Sequence, residues 1–298
     1  MEEALALEEL DLNYYRSKKL YKPVWARGVF GGQVIGQALN AATATVPEQY
    51  FIHSLHSYFI LPGDNSLPIL YEVQRVRNGK SYCTRMVMAK QKGRCILSLN
   101  CSFALLENGQ PLRHQYPMPE CPDPETLPTL IERLKSWSNH PEVPRWYKSY
   151  MEKKLVAEME YPVDSRNTDR ITFEDLSHPK KTTKQATKGN LGDNLALHKC
   201  ALAYASDDSF LLTAIRPHGM TPFHQMMMAS LCHSIWFHDP YIRADEWLLC
   251  EMESPQSANG RGLAFGRIFT RDGRLVASTA QEGVIRVIQK DRAPKANF

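Results

Sequence analysis

The chain has 298 residues, of which 43% are apolar and 23% charged, a composition typical of a soluble globular protein with one large domain or two ordinary ones. A formal net charge of +4 suits anionic ligands such as nucleotide phosphates. The Lys and Arg residues are scattered along the chain, which excludes a nucleic-acid-binding protein. Seven cysteines, an odd number without a Cys-x-x-Cys pair, indicate a reduced intracellular compartment.

The two ends of the chain bear on location. The first nine residues are acidic and lack a basic, apolar leader, and no uncharged apolar run is long enough to span a bilayer. We therefore expect neither secretion nor membrane insertion. The last residues, Lys295-Ala-Asn-Phe298, are a loose form of the peroxisomal Ser-Lys-Leu address. They favour a peroxisomal protein, with the cytoplasm as the alternative.

A helix is predicted over residues 29–42, with apolar Val34, Ile35 and Leu39 after Gly31-Gly32. The glycines allow a close approach to the backbone, either by a ligand or by a sheet wrapped tightly round the helix. Four strands follow. Asn78-Gly79, a strong hairpin signal, separates the second strand from the third. Their predicted ranges are 51–61, 67–77, 81–90 and 94–105. The first part of the chain is thus one helix covered by an antiparallel meander.

Residues 107 to 190 are rich in proline and then in charge, with weak periodicity, which predicts a long connection. Short helices are expected at 126–137 and 145–156. The lysine-rich residues 180–188 are expected to form an exposed loop.

From residue 191 the first pattern repeats in the same order. Apolar residues every fourth position from Phe223 through Met227 and Leu231 to Ile235 predict a buried central helix over 223–237. Strands or short buried segments are predicted at 195–206 and 209–215, and further strands at 245–253, 262–270 and 274–286. Two helices, each wrapped by an antiparallel sheet, make an α+β double hotdog. We divide it into an N-terminal hotdog (1–106), a linker (107–190) and a C-terminal hotdog (191–298).

The last hairpins of the two halves can be aligned at their turn glycines, Gly93 and Gly273. Both are followed by an alternating strand, and eight residues after the glycine one half has Cys101 where the other has Gln281. The second half is therefore the better candidate for polar chemistry.

Three polar residues of that half are candidates for chemistry. Asp207 follows an apolar segment, Ser230 lies on the predicted central helix, and Gln281 lies on the inward face of the last strand. In a fold with a helix wrapped by a sheet, a carboxylate at a strand end, a hydroxyl on the helix and an amide on a strand can converge on one point. Each also has an ordinary structural alternative: a cap or turn for Asp207, a bond within its own helix for Ser230, and a bond to a strand neighbour for Gln281.

Six stretches in order resemble the type II acyl-CoA thioesterases, bacterial and peroxisomal, over nearly the whole chain outside the linker. They are Phe30-Gly-Gly-Gln-Val-Ile-Gly-Gln-Ala-Leu39, His53-Ser-Leu-His-Ser-Tyr-Phe59 with Pro62-Gly-Asp64, Tyr204-Ala-Ser-Asp207, His233-Ser-Ile-Trp-Phe-His238, Glu253-Ser-Pro255 and Ala280-Gln-Glu-Gly-Val284. The resemblance implies a double hotdog that hydrolyses acyl-CoA to a free acid and coenzyme A. It places the catalytic residues at Asp207, Ser230 and Gln281.

The chemistry of these side chains suits that implication. Asp207 can take a proton from water, while Ser230 and the Gln281 amide orient the water. Ser230 lacks a Gly-x-Ser-x-Gly setting, which argues against a covalent Ser-His-Asp mechanism. We expect an acyl-CoA substrate and a homo-oligomer, with no cofactor, no metal, no nucleic acid and no membrane as partner.

One residue departs from the family pattern. Cys232 stands where the family usually has Asp. Loss of that carboxylate could weaken positioning at the site, alter specificity, or mark an acyl-transfer or biosynthetic enzyme. A non-catalytic acyl-CoA binding protein is a further alternative. On a helix, Cys232 and His233 would point about 100° apart, so a nucleophilic Cys-His pair is disfavoured and a small buried thiol is the better interpretation.

Overall fold

The helices lie in three places along the chain: at its start, in the middle segment, and at the start of the second half. A computed structural model describes residues 1–288 except for residues 25, 108, 110, 142, 169–179 and 221–225. Within these residues the α-helices are α1 Glu2–Leu5, α2 Gly31–Thr43, α3 Leu130–Ser138, α4 Arg145–Glu160 and α5 Leu195–Ser206. Two 3-10 helices span Pro124–Thr126 and Leu211–His218.

Twelve strands of the described residues form one antiparallel sheet in the order β1-β2-β4-β5-β6-β3-β9-β12-β11-β10-β8-β7. Their bounds are β1 Leu7–Asp11, β2 Tyr14–Ser17, β3 Tyr50–Phe59, β4 Leu70–Asn78, β5 Tyr82–Gln91, β6 Arg94–Leu105, β7 Val163–Asn167, β8 Lys180–Thr187, β9 Met226–Phe237, β10 Leu248–Ala258, β11 Arg261–Phe269 and β12 Leu275–Val287. The two halves of the sheet meet where β3 pairs with β9, with Leu55 opposite Ile235.

Each half of the sheet covers one central helix, α2 in the first half and α5 in the second. Ile35 and Leu39 of α2 are fully buried, and burial of each such side chain stabilises the fold by about 1.5–3 kcal/mol. The two helices also pack on each other. A Cβ on Gly32 would lie only 2.3 Å from the carbonyl oxygen of Tyr204 in α5, so only glycine permits this approach.

The predictions for the first half are confirmed. The helix at 29–42 is α2, the four strands are β3 to β6, and the Asn78-Gly79 turn joins β4 to β5. The double-hotdog class also stands, with the difference that the two sheets are continuous through β3 and β9.

Three predictions for the second half are wrong. Residues 195–206 form the central helix α5 and not a strand, since the side chain of Asn194 accepts a hydrogen bond from the N–H of Leu197 and caps the helix. Residues 211–218 form a 3-10 helix instead of a strand. Residues 226–237, expected to be the central helix, form the strand β9; Phe223 lies outside the described residues.

The middle segment contains the two predicted helices, seen as α3 and α4. The prediction of an exposed loop at 180–188 is wrong. Residues 180–187 form β8, which pairs with β10 and buries Thr183, Gln185 and Thr187. The C-terminal tail at 295–298 lies outside the described residues. Across the part of the chain that the structure describes, the helices are all too short or too polar to cross a membrane.

Candidate active site

Asp207 lies between the two central helices. It ends α5 as the C-cap residue, where we had expected it to follow a strand. Its carboxylate reaches the N-terminus of α2 and accepts a hydrogen bond from the backbone N–H of Gly32. A Cβ on Gly31 would lie 2.9 Å from Oδ2 of Asp207, so the glycine pair makes room for the carboxylate. The positive end of α2 favours the ionised form.

Ser230 lies on β9, not on a helix as expected, and a β-bulge decides where it points. Gln281 of β12 lies opposite His233, whereas Gly283 lies opposite Ser230, so β9 contains one extra residue between them. Residues three apart would otherwise face opposite sides of a strand. The bulge turns Ser230 to the inner face that His233 occupies.

The Gln281 amide connects the three predicted residues. Its Nε2 donates to Oδ1 of Asp207 at 2.9 Å and to Oγ of Ser230 at 2.6 Å. The amide is buried, with the residue 1% exposed. The three side chains that the sequence singled out, from positions far apart in the chain, therefore share one hydrogen-bonded cluster.

Two further side chains extend the cluster behind Gln281. Nδ1 of His233 lies 3.0 Å from Oε1 of Gln281, and Nε2 of His233 lies 2.9 Å from Oγ of Ser206. All hydrogens of the Gln281 amide are used by Asp207 and Ser230. The Ser230 hydroxyl hydrogen is thus the donor that the cluster offers to a water or a substrate oxygen.

The protonation of this cluster is set mainly by burial. Burial raises the pKa of the Asp207 carboxyl to about 7, while the hydrogen bonds from Gln281 and Gly32 oppose that rise and the neighbouring Asp208 adds to it. Burial lowers the pKa of His233 to about 4, so its imidazole is neutral at pH 7. Near neutral pH, Asp207 is therefore poised to accept a proton.

The corresponding place in the first half of the molecule has no such cluster. Cys101, the counterpart of Gln281, lies opposite Leu55, as Gln281 lies opposite His233. Phe103 lies opposite Ile52, as Gly283 lies opposite Ser230, and a bulge again separates the two pairs. The four first-half positions are apolar and buried: Ile52, Leu55, Cys101 and Phe103.

Cys232 lies outside the cluster. Neighbouring residues of a strand point to opposite faces, and Cys232 pairs with Tyr58, which is 65% exposed, on the face away from buried His233. The sequence argument against a Cys-His pair assumed a helix and so used the wrong geometry. The strand separates the two side chains more fully. It also places the departure from the family pattern away from Asp207.

A cavity of about 170 Å³ is lined by residues that follow Asp207 in the chain, although Asp207, Ser230 and Gln281 do not line it. Asp208 and Ser209, the two residues after Asp207, form part of its wall together with Phe30 and Tyr161. The helices α3 and α4 of the middle segment close it, with Leu134 and Ala157 among the lining residues. The segment expected to be mainly a connection thus builds one wall of a binding space.

Sequence reasoning missed the roles of His233, Ser206 and Gly32. In the sequence, His233 stands out as the first residue of a family-like stretch and as a neighbour of Cys232. The available signal is its place in a largely apolar run, because an imidazole buried there must find hydrogen-bond partners. Within the described residues, no group of three or more His, Cys, Asp or Glu side chains is placed to hold a metal ion.

Family models match both halves of the chain: the acyl-CoA thioesterase model at residues 152–284 and the acyl-CoA thioesterase N-terminal domain model at residues 21–104. Acyl-coenzyme A thioesterase 8 of Mus musculus is 40% identical over 95% of this chain and 88% of its own. Peroxisomal acyl-coenzyme A thioester hydrolase 1 of Saccharomyces cerevisiae is 30% identical over 100% of this chain and 97% of its own.

Solved structures agree with the fold. The acyl-CoA thioesterase II TesB2 from Mycobacterium marinum has a TM-score of 0.76 and 36% identity, covering 97% of this chain and 98% of that one. A hot dog fold protein of unknown function from Alicyclobacillus acidocaldarius has a TM-score of 0.70 at 17% identity, with 97% and 98% covered. Matched along nearly its whole length in both sequence and fold, the chain belongs to the acyl-CoA thioesterase family.

Proposed function

We propose that this protein hydrolyses acyl-CoA with a water molecule activated by Asp207. The observation that carries the proposal is the cluster in which one buried amide holds the Asp207 carboxylate and the Ser230 hydroxyl together. A carboxylate whose pKa lies near 7 is matched to general-base work at neutral pH.

In this mechanism Asp207 takes a proton from the water as its oxygen forms a bond to the thioester carbonyl carbon. The Ser230 O–H donates to the water or to the developing oxyanion. Collapse of the tetrahedral intermediate breaks the carbon–sulfur bond, and the coenzyme A thiolate takes the proton from Asp207. No covalent acyl-enzyme forms, and Gln281 keeps Asp207 and Ser230 in place.

The acyl group is assigned to the cavity closed by α3 and α4. Asp208 and Ser209, which follow Asp207 in the chain, line this cavity, and its wall includes apolar and aromatic side chains such as Phe30, Leu134 and Tyr161. Residues of the middle segment would then decide which acyl chains fit.

The test is a panel of acyl-CoAs from short to long, read by release of free coenzyme A. Hydrolysis by the wild type and its loss in Asp207→Asn, with unchanged thermal unfolding, are expected. Adding alcohol or amine acceptors separates hydrolysis from acyl transfer, since transfer would yield an ester or amide. Tight binding without turnover would show a binding protein instead.

Location, assembly and division of the chain stay predictions. We infer a peroxisomal location from the tail at 295–298 and from the name of the yeast relative. Imaging the protein with and without its last three residues tests it. A homo-oligomer is expected, and sedimentation measures it. Limited proteolysis tests the boundaries 1–106, 107–190 and 191–298.

A further inference from the structure

The orientation of the Gln281 amide decides whether the candidate site is assembled. Rotated by 180°, the amide would turn its carbonyl oxygen towards the Asp207 carboxylate and the Ser230 oxygen, and both hydrogen bonds would be lost. In the assembled orientation Oε1 faces Nδ1 of His233 at 3.0 Å. That contact is favourable only if Nδ1 carries a hydrogen.

The other ring nitrogen is then an acceptor, because a neutral imidazole carries one hydrogen. Its partner is the Ser206 hydroxyl, 2.9 Å away. Oγ of Ser206 also donates to the carbonyl oxygen of Ala203 at 3.0 Å, so two acceptors compete for its one hydrogen. If the hydroxyl donated to Ala203 alone, the ring hydrogen would move to Nε2, and the lone pair of Nδ1 would face Oε1 of Gln281. The Gln281 amide, whose Nε2 donates to Asp207 and Ser230, faces the ring with Oε1 and therefore favours the Nδ1–H tautomer.

His233 is fixed in place from several sides. It is 0% exposed, its ring lies edge-on to Phe210 at 5.8 Å, and its backbone carbonyl accepts a hydrogen bond from Ser57 of the first half. Burial, which lowers its pKa to about 4, keeps it uncharged. A rigid, neutral ring can hold a single tautomer.

Packing alone does not require an imidazole at this position. The counterpart in the first half, opposite Cys101, is Leu55, which is fully buried. The same place in a related strand pair thus accepts a leucine of similar size. What distinguishes the second half is the pair of hydrogen bonds that the imidazole makes.

We propose that His233 is a positioning residue: as the neutral Nδ1–H tautomer it donates to Oε1 of Gln281 and fixes the amide so that its NH2 group faces Asp207 and Ser230. The kinetic consequences rest on the proposed hydrolysis. The tautomer itself does not, because it follows from the geometry of the buried cluster.

Two substitutions separate hydrogen bonding from packing. His233→Leu copies the first half, and we expect kcat to fall about tenfold or more with little change in KM. The acidic limb of the pH profile should move to higher pH, because Asp207 loses a hydrogen bond that lowers its pKa. His233→Asn places an amide N–H near the Nδ1 position and should restore most of kcat and the original limb. His238→Leu, at an exposed histidine just after β9, is the control and should change neither.

A folded His233→Leu with the kcat and pH limb of the wild type would overturn the proposal. So would equal losses in the Leu and Asn variants with an unmoved limb, since those would show a purely structural role. Nitrogen-15 NMR of the imidazoles gives a substrate-free readout on the wild type, assigned by the signals missing in His233→Asn. A neutral Nδ1–H ring near pH 7 is expected, and an Nε2–H tautomer or a charged ring would refute the proposal whatever the activity.

Discussion

The pH dependence of hydrolysis is the most direct test of Asp207 as the base. With the pKa raised from 3.8 to about 7, roughly half of the carboxyl groups are ionised at pH 7. The ionised fraction is about a tenth at pH 6 and about nine-tenths at pH 8, so kcat/KM should rise roughly tenfold between them. The measurement is the loss of thioester absorbance with saturating and limiting acyl-CoA across this range.

The substitution Asp207→Asn removes the base and should lower kcat by roughly 10²–10⁴-fold at every pH. Asp208→Asn is the matched control, because it removes a neighbouring charge that raises the pKa of Asp207. The Asp208→Asn variant should stay active, and the acidic limb of its pH–rate profile should lie at the same pH as that of the wild type or slightly lower. A profile that is flat between about pH 6 and 8, or an Asp207→Asn enzyme as fast as the wild type, would remove Asp207 from the mechanism.

The same raised pKa predicts a stability effect. The folded state binds the Asp207 proton more tightly than the unfolded state does, so this stabilisation is complete below about pH 4 and is lost as the pH rises to about 7. Relative to Asp207→Asn, the wild type should lose at most about 1.4 kcal/mol of unfolding free energy per pH unit in that window. Denaturant unfolding at several pH values measures the difference. A difference that grows in favour of the wild type with rising pH would contradict the sign.

Three further predictions concern other parts of the site. Ser230→Ala should lower kcat by about tenfold or more without changing thermal unfolding, whereas Ser234→Ala on the same strand should leave kcat unchanged. Equal rates in the wild type and both variants would exclude a role for the Ser230 hydroxyl. Ala157→Phe fills part of the cavity and should lower kcat/KM for long but not short acyl-CoAs, while Val156→Phe, at a position 65% exposed, should leave kcat/KM unchanged for both. An equal fall in kcat/KM for long and short acyl-CoAs in Ala157→Phe would argue against placing the acyl group in this cavity. Gly32→Ala should lower the unfolding free energy by about 1–3 kcal/mol in denaturant titrations, because its Cβ would clash with the facing helix, and unchanged stability would show that the helices can separate freely.

The helix and strand assignments of the second half could not be separated by apolar spacing. Met227, Leu231 and Ile235 are four residues apart, which places them on one face of a helix and equally on one face of a strand. The strand β9 lies in the middle of the sheet and is apolar along much of its length, so its pattern is that of a buried segment in either form. The sequence signal for α5 is Asn194, whose side chain caps the helix.

The sequence points to the three residues of the candidate cluster because their chemistry stands out, although two of the three elements assigned to them are wrong. Asp207 and Gln281 lie in the family-like stretches and the resemblance also points to Ser230, whereas the arrangement of the three depends on tertiary features that no local pattern encodes. The bulge that turns Ser230 inward is one such feature, since it appears only in the register of β9 against β12. The wall built by α3 and α4 is another, because the periodicity of that segment is weak.

The apolar counterparts of the cluster in the first half have a stoichiometric consequence. A tight transition-state analogue should titrate one equivalent per polypeptide and not two, although the fold offers two related places. The first half then takes no part in the reaction itself but supports the site in the second half. Its helix α2 supplies the N–H that Asp207 accepts, and Ser57 of its strand β3 donates a hydrogen bond to the backbone carbonyl of His233. Co-expressed halves should recover turnover only when they reassociate.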